Sequence, residues 1–204
     1  MLQQFLSFLR RRRVESDLDD EFGWLMPPTT LVDPGAWDTY WRDQLTHRVA
    51  GLVDMFCDDG ELVDAMHANG FQTVLCVGNG ISQEPRALAS AGFDVTALDL
   101  SPFASAMAQQ ATPPPEYLAR LIGERPQRTG GRVMFVVGDL CDSTVCAGPF
   151  DVVIERRTLQ LYPSAQQGSA LQAVANRLGS RGILFSHSHD RKFRQLVNVL
   201  DYLF

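Results

Sequence analysis

Short apolar runs alternate with mixed stretches along this chain, and the alternation has the rhythm of strands and helices in turn. Five runs are rich in β-branched residues and bounded by glycine, proline or aspartate: Thr73–Val77, Asp94–Leu98, Arg132–Val137, Phe150–Ile154 and Gly182–Ser186. Continuous rather than alternating hydrophobicity is how a parallel strand buried on both faces reads. Between them the pattern predicts helices over Gln83–Ala91, Ser101–Gln110 and Ala165–Leu178, the last ended by Gly179. Upstream, Ala36–Phe56 carries Trp37, Tyr40, Trp41, Leu45, Val49 and Leu52 near a 3.6-residue period, as one apolar helix face does. A short helix, Glu61–Asn69, stops at Gly70. Thr112-Pro113-Pro114-Pro115 must break a helix, Glu116–Glu124 reads as a further helical stretch, and Arg191–Phe204 as a last one. The prediction is a three-layer α/β fold with a mostly parallel five-stranded sheet in the order 3-2-1-4-5. Residues 1–35 are an extension and linker, with a short helix over 1–13 and an irregular path from Met26 to Gly35. Residues 36–204 are the domain, of which 36–70 form a helical cover.

Composition narrows this picture. The chain has 204 residues, 45% hydrophobic and 21% charged, which suits one globular domain with a real core. A net charge of −6 and a pI near 5.1 argue against nucleic-acid binding through bulk charge. Four cysteines at 57, 76, 141 and 146 form no CxxC pair, so neither a disulfide framework nor a zinc site is expected, and a reducing cytoplasm is. No apolar run is long enough to cross a membrane. In MLQQFLSFLRRRR the apolar part precedes the arginines, the wrong order for a secretory signal.

The chemistry concentrates in Thr73–Pro102. The first strand opens into Gly78-Asn79-Gly80, where two glycines let the backbone turn and let a ligand approach bare main chain. Ser82 can cap the following helix, whose first N–H groups favour negative charge. The second strand ends in Asp99, about 20 residues after the first glycine, where a carboxylate can accept hydrogen bonds from a ribose diol. The unit suggests a nucleoside ligand; the alternative is a plain crossover with a structural glycine turn. Gln83 stands at the third-glycine position of the dinucleotide fingerprint, which disfavours a nicotinamide or flavin oxidoreductase.

VLCVGNGIS…GFDVTALDLSP resembles the first two motifs of class I S-adenosylmethionine-dependent methyltransferases. The resemblance implies a Rossmann-like fold and S-adenosyl-L-methionine as cofactor. It assigns Gly78, Asn79 and Gly80 to the methionine part of the cofactor, and Asp99, followed by Leu100, to the ribose. It also implies that Asp139 faces the adenine amino group while Leu140 packs on the ring. Cys76 stands where the family often has an acid that helps to place the cofactor's amino group, and a neutral thiol cannot do that. Trp37-Asp38-Thr39-Tyr40-Trp41 resembles the paired tryptophans of thiopurine-type methyltransferases, which makes Trp41 a cofactor cover and Tyr40 a substrate-side residue. The Glu155-Arg156 pair resembles the acid-arginine pair of that branch, with Glu155 near the cofactor and a candidate catalytic group, and Arg156 toward the substrate. Asp151, at the start of the fourth strand, reads as structural.

His187-Ser188-His189-Asp190 ends the fifth strand. His187 could be a general base near neutral pH, whereas a metal role is not expected of so sparse a ligand set. Family members usually add an antiparallel strand pair after the fifth strand, and this chain has no room for one. A partner chain, as in a homodimer through the sheet edge, or the N-terminal segment is then expected to cover that edge. The favoured function is methyl transfer to a small-molecule nucleophile, with no stable nucleic-acid partner. Two alternatives stay open: a methyltransferase acting on protein or nucleic acid through the arginine-rich N-terminus, and a binding or scaffold protein without catalysis.

Overall fold

The computed structural model describes residues 33–48, 60–112 and 130–187. In chain order the elements are α1 (Pro34–Arg48), α2 (Gly60–Ala68), β1 (Thr73–Val77), α3 (Glu84–Ser90), β2 (Asp94–Asp99), α4 (Pro102–Gln110), β3 (Arg132–Val137), β4 (Phe150–Arg156), a 3-10 turn (Leu159–Leu161), α5 (Ser164–Ala175) and β5 (Leu178–His187). The five strands form one sheet in the order β3-β2-β1-β4-β5, every pair parallel. This is the predicted order. The expected helices at 1–13, 116–124 and 191–204 lie outside the described residues, as do Val49, Leu52 and Cys57.

Alternation of side chains along each strand divides the interior in two. Val74 and Cys76 of β1, Val95 of β2 and Val152 and Ile154 of β4 face α2 and α3, where Leu62, Val63, Met66, Ala87 and Leu88 meet them. Leu75 and Val77, Leu98 and Val153 face the opposite way, onto Ala170, Leu171 and Val174 of α5 and onto Leu159. Helices thus cover both faces, which is why the strand sequences read as unbroken apolar runs. Asp151 has the structural role expected of it. One carboxylate oxygen accepts from the backbone N–H groups of Gln72 and Thr73, at 2.8 and 2.9 Å, and ties the start of β4 to that of β1.

Three of the element boundaries that differ from the sequence expectation have a physical cause in the structure. Helix α1 begins at Pro34 rather than Ala36, because proline suits a first helical turn and the Asp33 carboxylate accepts from the Gly35 N–H at 2.9 Å. Ser82 sits one residue before the N-cap, Gln83, though its hydroxyl still accepts from the Glu84 N–H at 3.1 Å. Helix α5 stops at Ala175, and Leu178 already pairs with Phe150 in β5. The cause is Arg177, which is buried and donates to the carbonyls of Ala173, Asp142 and Val145 at 2.7, 2.7 and 2.9 Å. It satisfies one end carbonyl of α5 and fixes the loop between β3 and β4.

Candidate functional site

The sequence-predicted residues gather at the carboxyl edge of the sheet, around the point between β1 and β4 where strand order reverses. Open α/β sheets bind ligands at such a point. The turn after β1 is held from both sides. Gly78 N–H donates to the Leu98 carbonyl at 2.8 Å, and Gly80 N–H donates to the Asp99 carboxylate at 2.6 Å. Both glycines have positive φ, 61° at Gly78 and 53° at Gly80. Neither tolerates a side chain: a Cβ on Gly78 would lie 2.0 Å from Thr158 Oγ1, and one on Gly80 2.3 Å from the Trp41 ring. Asn79 closes the turn, its amide donating to the carbonyls of Gly80 and Ser82 at 3.2 and 3.4 Å.

Asp99 ends β2 almost fully buried, and its second oxygen accepts from the Ser101 N–H at 2.8 Å. Burial lifts its pKa from the ordinary 3.8 to about 6, against the pull of the Ser101 and Gly80 N–H groups and with a small push from Asp38. Leu100 follows, half-buried, at the mouth of the β2–α4 turn. At the tip of β3 the Asp139 carboxylate accepts from the Cys141 N–H at 2.8 Å, a turn bond that occupies one of its two oxygens. Leu140 is 3% exposed and packs into the second core beside Leu98 and Leu159, so it stands inside the domain instead of on an open wall.

Helix α1 crosses above this edge. Asp38 accepts from the Ser101 hydroxyl at 2.5 Å and from the Phe103 N–H at 3.0 Å, and Arg42 lies 3.9 Å over the Phe103 ring. These contacts dock one side of the helix at the start of α4. On the next face Trp37, Tyr40 and Trp41 form an edge-to-face row, with ring centroids 5.3 and 5.2 Å apart, and Trp41 rests on Gly80. The aromatic segment read from the sequence does lie on the glycine turn.

The Glu155-Arg156 pair needs correction. Adjacent residues of a strand point to opposite faces, and each of these two finds hydrogen-bond partners on its own side. Glu155 has no exposed surface: its carboxylate accepts from the N–H groups of Thr158 and Leu159 at 3.0 and 3.2 Å and from the Ser186 hydroxyl. Burial raises its pKa, the Ser186 hydroxyl and the two N–H groups opposing. Glu155 is therefore no rim residue; it folds the chain after β4 so that Thr158 meets Gly78. Arg156 turns to the other face and forms a bidentate, buried ion pair with Glu84, Nε to Oε2 at 2.9 Å and Nη2 to Oε1 at 2.5 Å, which leaves it no substrate-side position. Beside them burial holds the Cys76 thiol well above its usual pKa, the Glu84 carboxylate adding to the rise, so the residue stays neutral as expected.

His187 closes β5 half-buried, and its carbonyl accepts from the Arg157 N–H at 2.7 Å. His189 and Asp190 lie outside the described residues, and among the described ones no cluster of His, Cys, Asp or Glu could hold a metal ion. No helix among them is long and apolar enough to cross a membrane.

Three residues that the sequence reading passed over or read differently stand in the same place. Gln44 is fully buried on the aromatic face of α1, Gln83 is 4% exposed at the end of the glycine turn, and Arg157 sits at φ 64° just past β4. A glutamine one turn beyond Trp41 on an apolar stripe was the readable signal for the first of them.

A family model described as a methyltransferase domain matches residues 75–186. Among solved structures, a TehB-like SAM-dependent methyltransferase from Corynebacterium glutamicum is 19% identical, with 82% of this chain and 84% of that one covered and a TM-score of 0.54. A SAM-dependent methyltransferase from Methanosarcina mazei is 22% identical over 64% of this chain and 62% of its own, with a TM-score of 0.48. A protein studied for the conversion of a disulfide bond into a thioacetal group in echinomycin biosynthesis is 24% identical over 61% of this chain; the match spans 46% of that protein, with a TM-score of 0.46. Likeness at these identities is likeness of fold. No curated protein matches the chain in sequence.

Proposed function

The chain belongs to the methyltransferase-domain family, and on that premise we propose that it transfers the methyl group of S-adenosylmethionine to a small-molecule nucleophile of the kind thiopurine-type enzymes accept. One observation carries the reading. The buried Asp99 carboxylate reaches across from β2 to the Gly80 N–H of the turn after β1, so a diol acceptor and a bare-backbone turn adjoin at the switch point. When bound, the cofactor supplies an electrophilic methyl carbon on a sulfonium. The protein's own work is then alignment and exclusion of water. Asp99 accepts from the ribose hydroxyls, Gly78 and Gly80 leave the main chain bare, Trp41 covers the turn, and Asp139 offers its second oxygen to the adenine amino group. His187, at the tip of β5, is the remaining candidate for taking a proton from the acceptor.

The test is calorimetric titration of the full chain with S-adenosylmethionine and with its demethylated product, followed by transfer of labelled methyl to a panel of small thiols, amines and phenols. Saturable binding with transfer to one acceptor class is the expected result. A folded protein that binds neither nucleoside would overturn the proposal. Binding without transfer to any small acceptor would refute the small-molecule part.

Two further outcomes follow from the geometry. Affinity for the cofactor is expected to rise between pH 5 and about 7, because Asp99 gains its second lone-pair acceptor only as it ionises near pH 6. Asp99's contribution to the stability of the unliganded fold runs the opposite way. Its raised pKa makes that contribution full below pH 3.8 and lost as pH climbs through about 6. Titrations at several pH values, set beside unfolding curves, separate the two trends. Trp41→Ala is expected to weaken cofactor binding by roughly tenfold through loss of an aromatic cover; unchanged affinity would remove the cover from the mechanism.

A further inference from the structure

Among the described residues the exposed large hydrophobic side chains are Met134, at 58%, and Val137, at 49%, and both belong to β3. They point to opposite faces of the strand, so what they share is its edge. Among those residues no strand lies beyond β3. An uncovered edge strand is a template for pairing with another chain, and proteins guard such edges with proline, bulges or charge. The run Arg132-Val133-Met134-Phe135-Val136-Val137 carries one charge, at its first residue, and pairs with β2 in unbroken register. The opposite edge is guarded. The pairing of β5 with β4 shifts register between Phe150 and Val152, and exposed Ser180 and Arg181 occupy the break.

The bonds to β2 show which main-chain groups of β3 face outward. Arg132 N–H donates to the Phe93 carbonyl at 3.2 Å, and Gly138 N–H to the Asp99 carbonyl at 2.9 Å. Alternate residues of a strand turn their N–H and C=O to the same side, so Arg132, Met134 and Val136 face β2. Val133, Phe135 and Val137 turn theirs away from the sheet. An antiparallel strand bonds to all of these groups when its own outward residues fall opposite them. A second β3 has that spacing. With Phe135 opposite Phe135 of the second copy, Val133 falls opposite Val137 and Val137 opposite Val133, each pair exchanging both its bonds. In the same register exposed Met134 meets Val136 on one face, and exposed Val137 meets Val133 on the other. A one-residue slip sets outward groups against inward ones and loses this match. Charge agrees with the antiparallel sense. The strand starts on Arg132, whose side chain is 81% exposed although it also binds Asp94, and it runs out into Asp139 and Asp142. Two antiparallel copies lay the basic end of each beside the acidic end of the other.

We propose that β3 is the joint of a symmetric homodimer, in which two copies run antiparallel about a two-fold axis at Phe135 and their sheets continue into one. The interface is self-complementary, as a two-fold joint requires. Main-chain bonds hold the strands together, and the cross-strand pairs of Met134 with Val136 and of Val137 with Val133 fix the register. The sequence reading expects cover at the far edge, after β5; the unguarded edge is β3. The joint does not depend on the cofactor reading.

The experiment measures mass and amide exchange on the full chain without ligand. Light scattering at about 200 µM is expected to give twice the 22.7 kDa of one chain, falling toward a single chain near about 2 µM. Hydrogen exchange read by NMR at both concentrations reports on the strand. The outward amides of Val133, Phe135 and Val137 are expected to exchange at least about tenfold more slowly in the dimer, whereas those of Met134 and Val136, bonded to β2 in either state, are slow in both. Met134→Lys puts a charge at an exposed position and is expected to give a folded monomer whose outward amides exchange fast. Val137→Lys repeats the measurement should Met134→Lys fail to fold. A wild-type chain that stays monomeric at the higher concentration overturns the joint: slow outward amides would then mean cover by a segment of the same chain, and fast ones an edge left for a strand of another protein. A dimer that survives both lysines, or one whose outward amides stay fast, overturns it as well, because its interface lies elsewhere.

Discussion

Glu155→Ala is expected to destabilise the fold by about 4 kcal/mol, a large part of the roughly 5–15 kcal/mol that holds a domain together. The Glu155 carboxylate is the partner of the Thr158 and Leu159 N–H groups and of the Ser186 hydroxyl, in a place with no exposed surface. Removing it leaves two backbone donors buried without an acceptor, at about 1–3 kcal/mol each, and opens a void. For a chain of this size the melting temperature should fall by on the order of 10 °C. Glu155→Gln is the informative companion. A glutamine keeps one oxygen for the two N–H groups and offers its N–H2 to Ser186, so its stability should stay within about 1 kcal/mol of the wild type. If Glu155 were a catalytic base, Glu155→Gln would melt normally and lose turnover; a scaffold role predicts normal melting with turnover retained. Thermal unfolding and methyl transfer on both variants decide between them.

The same residue marks where reading the sequence stops. All five strands were legible because helices cover both faces of the sheet, so burial writes itself into the chain as apolar runs. The glycine turn and Asp99 were legible because a tight turn after a strand, and an acid at the tip of the next, leave a fixed spacing. Glu155 and Arg156 were misjudged as a pair because adjacency in sequence is not adjacency in a strand: one side chain goes to Ser186 and the other to Glu84, 72 residues away. The partner of a buried charge is chosen by sheet register, which no local pattern carries. The end of α5 was misplaced for a related reason. Leu178 continues the helical period, and only the burial of Arg177 against the β3–β4 loop shows why the helix must stop before it. Gln44 and Gln83 escaped because the burial of a glutamine is visible only once its surroundings are known.

Asp99→Ala is expected to weaken S-adenosylmethionine binding by more than about 100-fold. A buried carboxylate that accepts from two ribose hydroxyls makes two charge-assisted hydrogen bonds, each about 1.5–3 kcal/mol, so losing both removes at least about 3 kcal/mol. A second loss follows from the structure. The same carboxylate holds the Gly80 and Ser101 N–H groups, and through them ties the turn after β1 to the start of α4. Without it the turn has no fixed relation to the nucleoside end of the site, and the bonds to the methionine end weaken as well. Alanine at 99 should therefore depress affinity for S-adenosylhomocysteine and for 5′-methylthioadenosine alike. Asn at the same position keeps one oxygen as acceptor without the charge and should fall between the wild type and Asp99→Ala. It should also lose the rise in affinity near pH 6, since the group that titrates there is gone. Calorimetry of the three proteins with both ligands, at pH 5 and pH 7.5, tests these effects together. A pH dependence that persists in Asp99→Asn would assign the titration to another group, and unchanged affinity in a folded Asp99→Ala would remove the ribose from the tip of β2.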